Sequence, residues 1–175
     1  MKNLSLLSAA FSIILCPLLY SACNEDDNDL PPITMEGKNT FGCLVNGNIW
    51  TPSGRLGQPG LIAQMPSSNW VWIGADNNDN NTGISLNLSD SGSIQAKTYI
   101  LKNDTSFYSE YNTRIGSIIC FYKYNHVLSG QITLTKLDVT RRIISGTFEF
   151  TSYNPDCDDT IKVTNGRFDV GELTY

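Results

Sequence analysis

The sequence predicts an all-β domain, an antiparallel β-sandwich or flattened barrel of about nine or ten strands. Three observations support this fold class. Short runs rich in β-branched and aromatic residues recur between Gly, Asn and Asp turns. Apolar and polar residues alternate within these runs, as they do in a half-buried strand. No window combines an apolar stripe of helical period with helix caps.

The first two strands are predicted to form a hairpin. Thr40–Val45 and Asn48–Trp50 flank the pair Asn46-Gly47. An Asn-Gly pair between two β-prone runs is a strong hairpin signal, because a type I′ turn needs positive φ at both central residues.

Seven further strands are predicted from the same alternation. In the second of them, Ile84, Leu86 and Leu88 share one face. The seven runs are Trp70–Ile73, Ile84–Leu88, Ile94–Leu101, Ile115–Tyr124, Gln131–Leu137, Ile143–Thr151 and Ile161–Val170. The stretch Asp76–Asn81 is predicted to be a loop. The stretch Tyr108–Ile115 is the one place where we expect a short helical turn.

The N-terminal region has the features of an export signal. Lys2 precedes the uncharged run Leu4–Leu19, and two small residues, Ser21 and Ala22, stand before Cys23. A basic start, a short apolar core and small residues are typical of a secretory signal peptide. The apolar run is shorter than the roughly 20 residues that a membrane-spanning helix needs.

Ser-Ala-Cys resembles the lipobox of bacterial lipoproteins, although Tyr20 stands where Leu is usual. The resemblance implies that Cys23 carries diacylglycerol and becomes the N-terminus. Two or three acyl chains would hold the protein stably in a membrane. The alternative is ordinary signal cleavage after Ala22, which would leave the protein without a lipid.

The residues after Cys23 form a predicted tether. Asn24–Asp29 is rich in acids and resembles the export tag that sends Bacteroidetes lipoproteins to the cell surface. The alternative is a solvated acidic spacer on an outer membrane lipoprotein that faces the periplasm. Leu30-Pro31-Pro32 predicts a stiff, extended spacer. The domain organisation is therefore a signal peptide at 1–22, a lipidated cysteine and tether at 23–38, and one all-β domain at 39–175.

Both ends of the predicted domain resemble a group of Bacteroidetes lipoproteins of unknown function. The start is EGKNTFGCLVNG at 36–47, with Trp50 after it. The end is ISGTFEF at 144–150 and VTNGRFDV at 163–170. These motifs consist of turn glycines, inward aromatics and paired strands. The resemblance implies a lipid anchor and a β fold, and it implies no active site.

The charge distribution argues against nucleic acid as a partner. The formal net charge is −5, and four of the acids lie at positions 25–29, so the folded part is nearly neutral. It carries no basic stripe that could follow a phosphate backbone. The expected partners are the membrane, through the lipid, and either a glycan or another envelope protein.

The mature chain contains Cys43, Cys120 and Cys157 in addition to Cys23. If Cys23 is acylated, the remaining three allow one disulfide and one bystander, and the spacing does not decide which two pair. An exported protein meets the oxidising conditions that a disulfide requires. A zinc site is not expected, because the three cysteines are far apart and no C-x-x-C or His pair accompanies them.

No other metal site or cofactor is expected. The stretch Asp76–Gly83 has oxygen-bearing side chains at alternate positions, as a Ca²⁺ loop does. However, Asn81 stands where the loop glycine belongs, and no glutamate closes the loop. The acids Asp156, Asp158 and Asp159 are expected to form a solvated turn.

Trp70 and Trp72 are the candidate ligand site. Residues two apart on a strand point to the same face, so the two indoles are expected side by side. One interpretation is that both rings fill the core, as large aromatic side chains usually do. The other is that the face is exposed and forms a platform for sugar rings or a partner surface. Val71 and Ile73, on the opposite face, are equally good core residues.

Enzymatic activity is not expected. The single histidine, His126, has no nucleophile motif near it. A glycosidase needs two carboxylates across a cleft, and the candidates for such a pair are Glu110, Asp138, Glu149 and Asp169. Glu149 and Asp169 are expected to point outward into solvent.

These observations together predict a lipid-anchored, surface-displayed β-sandwich that acts as a binding or structural module of the envelope. One alternative is a hydrolase that acts on polysaccharide. The other is a small barrel that carries an apolar ligand inside. A binder should show an exposed aromatic or apolar patch, a hydrolase a cleft with paired acids, and a carrier an enclosed apolar cavity.

Overall fold

The computed structural model describes residues 29–101, 107–115 and 118–175. The strands within these ranges are β1 (Thr40–Val45), β2 (Asn48–Trp50), β3 (Leu61–Ser67), β4 (Trp70–Asn77), β5 (Thr82–Ser89), β6 (Thr98–Ile100), β7 (Phe107–Ile115), β8 (Ile118–Tyr122), β9 (Val127–Asp138), β10 (Ile143–Asn154) and β11 (Asp159–Val170). A single-turn 3-10 helix, Tyr124–His126, precedes β9. The described part of the chain contains no helix that is long and apolar enough to cross a bilayer.

The strands form two antiparallel sheets. Sheet A has the order β2-β1-β11-β10-β9-β6, and sheet B has the order β3-β4-β5-β7-β8. The sheets remain separate and pack face to face, so the molecule is a sandwich and not a closed barrel. The predicted all-β fold class is confirmed.

The core lies between the two sheets and follows the period-two alternation of the strands. Sheet B contributes Val71, Ile73, Ala75, Ile84, Leu86 and Leu88 from its two central strands. Sheet A contributes Phe41, Ile132, Leu134, Phe148, Phe150 and Phe168. Burying large apolar side chains on both inner faces supplies most of the stabilising free energy of such a sandwich.

The first hairpin forms as predicted. Asn46 has φ of 50° and Gly47 has φ of 80°, which are the positive values that a type I′ turn requires. The turn pairs Val45 with Asn48 and Cys43 with Trp50. This hairpin places β1 beside β11, in the interior of sheet A.

Two segments differ in type from the prediction, and two predicted strands, Ile94–Leu101 and Ile115–Tyr124, are shorter in the structure, as β6 and β8. Tyr108–Ile115 is not a helical turn, since it lies within β7 and pairs with β5 from Gly83 to Leu88. Strand β3 was not predicted, because Pro66 interrupts its short apolar run and proline is tolerated only at a sheet edge. Strand β3 does lie at the edge of sheet B.

The two sheets are connected on one side by the end of β8. The disulfide Cys120–Cys157 joins β8 of sheet B to the turn between β10 and β11 of sheet A. Close by, the Tyr122 hydroxyl donates a hydrogen bond to Asp159 Oδ2 at 2.6 Å. Asn154 Nδ2 donates to the Phe121 carbonyl oxygen at 2.9 Å. These contacts fix an edge strand that would otherwise be held only by β7.

Candidate functional site

Trp70 and Trp72 lie on the outer face of sheet B. The inner face of β4 consists of Val71 and Ile73, which are completely buried, with 0% and 1% exposure. Trp70 points the other way and is 41% exposed, and Trp72 is partly buried. The indoles therefore do not fill the core, and the structure places them side by side on the solvent face.

Both indoles are held in defined positions. Trp70 Nε1 donates a hydrogen bond of 2.7 Å to Asn87 Oδ1 on the neighbouring strand β5. The Trp72 ring lies over Gly74, because a Cβ on that glycine would be only 2.4 Å from Trp72 Cη2. Glycine at position 74 thus allows the second indole to lie flat against the sheet. We call this pair of indoles the platform.

Polar side chains continue the outer face of sheet B beside the platform. Ser85 of β5 is the register partner of Gly74, and Glu110 of β7 is the register partner of Ser85. Beyond them, on the edge strand β8, Phe121 is 50% exposed. A cavity of about 270 Å³ opens between these side chains and Phe121.

This arrangement suits a ligand with both apolar and hydroxyl-bearing surfaces. Indole rings present broad apolar faces, and the neighbouring hydroxyl, amide and carboxylate groups can donate or accept hydrogen bonds. Sites that recognise small molecules commonly combine aromatic surface with a few fixed polar groups.

The outer face of sheet A carries a second depression, with a different chemistry. Two adjoining cavities of about 330 and 290 Å³ share Gln131 and Glu149. Gln131 Nε2 donates to Glu149 Oε1 at 3.0 Å, so the two side chains between the cavities bind each other. Lys162 lines the first cavity, and Ile33 and Arg167 line the second. Ile33, which precedes β1, adds an exposed apolar side chain to this largely polar surface.

The expectation that Asp169 points into solvent is wrong. Its side chain projects from the outer face of sheet A, but the residue is only 1% exposed because residues 34–38 cover it. The carboxylate accepts hydrogen bonds from the hydroxyls of Thr34, at 2.6 Å, and Ser145, at 2.7 Å. It also accepts the backbone N–H groups of residues 36, 37 and 38 at 2.8 to 3.2 Å.

These hydrogen bonds determine the ionisation of Asp169. Burial by itself raises the pKa of the carboxyl group, since it penalises the charged form. The hydrogen bonds from Thr34, Ser145 and the backbone of residues 36 and 37 act in the opposite direction and outweigh it. The pKa of Asp169 therefore lies well below its ordinary value, and the group is a carboxylate at neutral pH.

The segment that carries these donors is the strap, which we define as residues 30–38. Leu30 is buried, and Pro31 packs on Gly42, where a Cβ would lie 2.7 Å from Pro31 Cδ. Lys136 Nζ donates to the Met35 carbonyl oxygen at 2.8 Å. The second half of the predicted tether thus packs on the outer face of sheet A. One residue of the strap indicates a turn from the sequence alone. Gly37 can adopt positive φ without strain, and its φ is 77°.

The other acids considered for catalysis lie apart. Glu110 is on the outer face of sheet B, whereas Glu149 is an exposed residue on the outer face of sheet A, as expected. Asp138 accepts the backbone N–H of Arg141 at 2.9 Å, in the turn after β9. His126 ends the 3-10 helix, and its carbonyl oxygen accepts the Ser152 hydroxyl at 3.1 Å.

The cysteines are placed as follows. Cys120 and Cys157 form the disulfide described above. Cys43 is a free thiol in the core, and burial raises its pKa to about 12. A thiol of that pKa is protonated at neutral pH and unreactive. Cys23, the predicted lipidation site, lies outside the described residues.

The Asn-rich turn between β4 and β5 uses its polar atoms internally. Asn77 Oδ1 accepts the backbone N–H groups of residues 79 and 80, and its Nδ2 donates to Thr51. Asn78 Nδ2 donates to Ser53. Among the described residues, no group of three or more His, Cys, Asp or Glu side chains is arranged to hold a metal ion.

Comparison with known proteins gives one family. A family model described as "Domain of unknown function (DUF6252)" matches residues 60–170. No curated protein and no solved structure matches the chain significantly. The matched residues include all of sheet B, with both indoles of the platform, and strands β6 and β9 to β11 of sheet A. Since they make up more than half of the chain, this protein belongs to the DUF6252 family.

Proposed function

We propose that this protein is a lipid-anchored, surface-displayed module that binds a saccharide through the platform of Trp70 and Trp72. One observation carries this proposal: Trp70 is 41% exposed beside a second indole, while the opposite face of the same strand already fills the core. The core does not require these rings, and adjacent aromatic side chains on a solvent face are typical of an interaction site.

The chemistry of the platform favours a sugar. A pyranose ring has a face of C–H groups that packs on an indole, and hydroxyl groups around its edge that need hydrogen-bond partners. Trp70 and Trp72 supply the aromatic faces. Ser85 and Glu110 lie one and two strands away in the row of Gly74, over which the Trp72 ring lies. Because Asn87 fixes the Trp70 ring through a hydrogen bond, this side chain loses less conformational entropy when a ligand binds.

The anchor is proposed at Cys23. The strap begins seven residues later, so the connection spans at most about 25 Å even when fully extended. The strap is bound to sheet A through Asp169 and Lys136, which would keep the domain close to the membrane. Mass spectrometry of the native protein tests this anchor, because a Cys23 without acyl groups would contradict it. The acidic residues 24–29 favour display on the cell surface.

Two alternatives are less well supported than binding. For a hydrolase, the four candidate acids would have to form a pair, but Glu110 lies on the opposite side of the sandwich from Glu149 and Asp169. Asp169 is moreover engaged in five hydrogen bonds with the strap and Ser145. For a carrier, a ligand would have to enter the space that Phe148, Phe150 and their neighbours occupy between the sheets.

Glycan-array binding tests the proposed function. The mature chain without its lipid, residues 24–175, is expected to retain at least one class of plant, host or bacterial glycan. The double variant Trp70→Ala, Trp72→Ala should lose this binding and keep a similar melting temperature. The control is Ile100→Ala, because Ile100 is an exposed apolar residue on the edge strand β6 of sheet A.

Two results would reject the proposal. One is that no glycan on the array is retained by the unmodified chain. The other is a large loss of thermal stability in the double variant, which would mean that the indoles stabilise the fold and are not free to bind a ligand.

A further inference from the structure

We infer that the ligand of the platform is an oligosaccharide chain several units long, which runs from Trp72 across β5 and β7 to Phe121 on β8. This inference rests on the proposed function and extends it, because it specifies the class of saccharide and adds a second aromatic contact. The outer face of sheet B supports it through the spacing of its aromatic residues, the character of the surface between them and the way β8 is held.

The aromatic residues at the two ends of this route lie far apart. The Trp72 ring lies over Gly74 on β4, and Phe121 points outward from β8. Strands β5 and β7 lie between them, so three strand spacings of about 4.8 Å, or about 14 Å, separate the two across the sheet. Phe121 also lies two residues, or about 7 Å, further along the strands than Gly74. One sugar ring covers about one indole and cannot reach both. A chain of several rings can.

The surface between Trp72 and Phe121 carries few bulky side chains. Two rows of register partners cross the face, Gly74 with Ser85 and Glu110 in one, and Gly83 with Asn112 and Phe121 in the next. Apart from Phe121, these residues are glycines or carry polar side chains. Ser85, Glu110 and Asn112 line the 270 Å³ cavity beside Phe121, together with Lys123. This surface of small and polar residues between Trp72 and Phe121, which we call the floor, leaves room for a sugar chain to lie across the sheet.

The floor also presents hydrogen-bonding groups close to the surface. Asn112 Nδ2 and Asp76 Oδ1 lie over Gly83, since a Cβ on that glycine would be only 2.9 and 2.7 Å from these two atoms. The missing side chain at position 83 therefore lets an amide and a carboxylate lie against the sheet. Glu110 and Lys123 line the cavity and the Asp76 carboxylate lies beside it, so two negative charges and one positive charge surround the floor, which disfavours a strongly acidic sugar chain.

Phe121 lies on a strand that is fixed to sheet A. Its carbonyl oxygen accepts Asn154 Nδ2, its neighbour Cys120 is in the disulfide, and its neighbour Tyr122 binds Asp159. Three contacts with sheet A thus fix this edge strand. An exposed aromatic ring on a fixed strand is preorganised for contact with a ligand.

A length series tests the inference. The probes are glucan, mannan and chitin oligosaccharides of one to six units, and the readout is the dissociation constant for residues 24–175 by titration calorimetry. The affinity of the unmodified chain for the sugar that binds should rise with length. Phe121→Ala should weaken binding of the longest oligosaccharide about tenfold, the size of one lost aromatic contact, and leave the shortest binder unchanged.

A second variant blocks the route without touching an aromatic ring. Ser85→Gln places a longer side chain on the floor between Trp72 and Phe121, and it should weaken binding of the long oligosaccharide in the same selective way. Ile100→Ala on sheet A is the matched control and should bind all lengths as the unmodified chain does.

The outcomes separate this inference from the proposed function. If the affinity does not depend on length, or if Phe121→Ala and Ser85→Gln leave the gain with length intact, the extended site is wrong and the platform alone binds the sugar. If none of the oligosaccharides binds, both the extended site and the proposed function are wrong.

Discussion

Asp169 is the residue whose carboxylate holds the strap on the outer face of sheet A. Phe168 and Val170 face the core, so the period-two pattern correctly sends Asp169 to the outer face. The pattern does not reveal that another segment covers that face. Five hydrogen bonds from residues far apart in the sequence then make this carboxylate part of the structure.

Asp169→Asn should destabilise the protein by about 3 kcal/mol, because it replaces a buried, charged acceptor of several hydrogen bonds. The amide NH2 group that replaces one carboxylate oxygen is a hydrogen-bond donor, so it cannot accept the N–H groups of the strap. Urea unfolding at neutral pH measures the change. The control is Asp79→Asn, which makes the same chemical change at an exposed turn position and should alter stability by less than about 0.5 kcal/mol.

The same variant should change the pH dependence of stability. The pKa of Asp169 in the folded state lies below the value of about 3.9 typical of an unfolded chain. Its contribution is therefore fully present above about pH 4 and is lost as the pH falls toward the lowered pKa. Below pH 4 the unmodified chain should lose stability faster than Asp169→Asn. Parallel curves for the two proteins would show that Asp169 is not specially stabilised in its charged form.

Gly74 has an equally specific role on the other sheet. Gly74→Ala would place a Cβ 2.4 Å from the present position of Trp72 Cη2, so the indole must lift from the sheet. Because only the far end of this side chain has to move, we expect stability to change by about 1 kcal/mol or less. Tryptophan emission should shift to longer wavelength and glycan binding should weaken. Unchanged emission and binding would mean that the ring does not lie over Gly74.

At the scale of elements, the sequence predicts best where pairing and burial coincide in one run. The first hairpin follows from Asn46-Gly47 alone, and β5 from its three inward apolar residues. Strand β7 could not be predicted this way. Its inner face carries Ser109 and Tyr111, which are buried although neither is aliphatic. Pairing with β5 and β8 makes this segment a strand, and its own pattern does not.

The platform was predicted only in part. The sequence places Trp70 and Trp72 on one face, but it cannot choose between that face and the face of Val71 and Ile73, because both are apolar. The choice depends on which set fits between the sheets. The contribution of Phe121 could not be predicted either, since it depends on the order of strands in sheet B.

The disulfide connects elements from the two sheets, and its loss should have a large effect. Cys120 and Cys157 are 37 residues apart, and closing a loop of that length stabilises a fold by about 4 kcal/mol in the chain-entropy model. Cys120→Ala, Cys157→Ala should therefore unfold at lower urea than the unmodified chain. Adding a reductant should lower the midpoint of the unmodified chain and leave that of the variant unchanged. Equal midpoints with and without reductant would contradict this role.

At the scale of the whole molecule, the sandwich places the proposed anchor and the proposed binding site on opposite faces. The strap that leads to the proposed anchor lies on the outer face of sheet A, and the platform lies on the outer face of sheet B. A domain held at the membrane through its sheet A side presents the platform away from the bilayer. This arrangement is what a surface-displayed binding module requires, because the ligand can approach without competition from the lipid.

The central claim is that the ligand binds on sheet B and not on sheet A. The most direct measurement is a map of backbone amide chemical shifts in residues 24–175 when the tightest-binding oligosaccharide of the length series is added. We predict that the shifts change in β4, β5, β7 and β8, with the largest changes around Trp72, Ser85 and Phe121. Changes confined to the depression on sheet A around Gln131, Glu149 and Arg167 would contradict the claim.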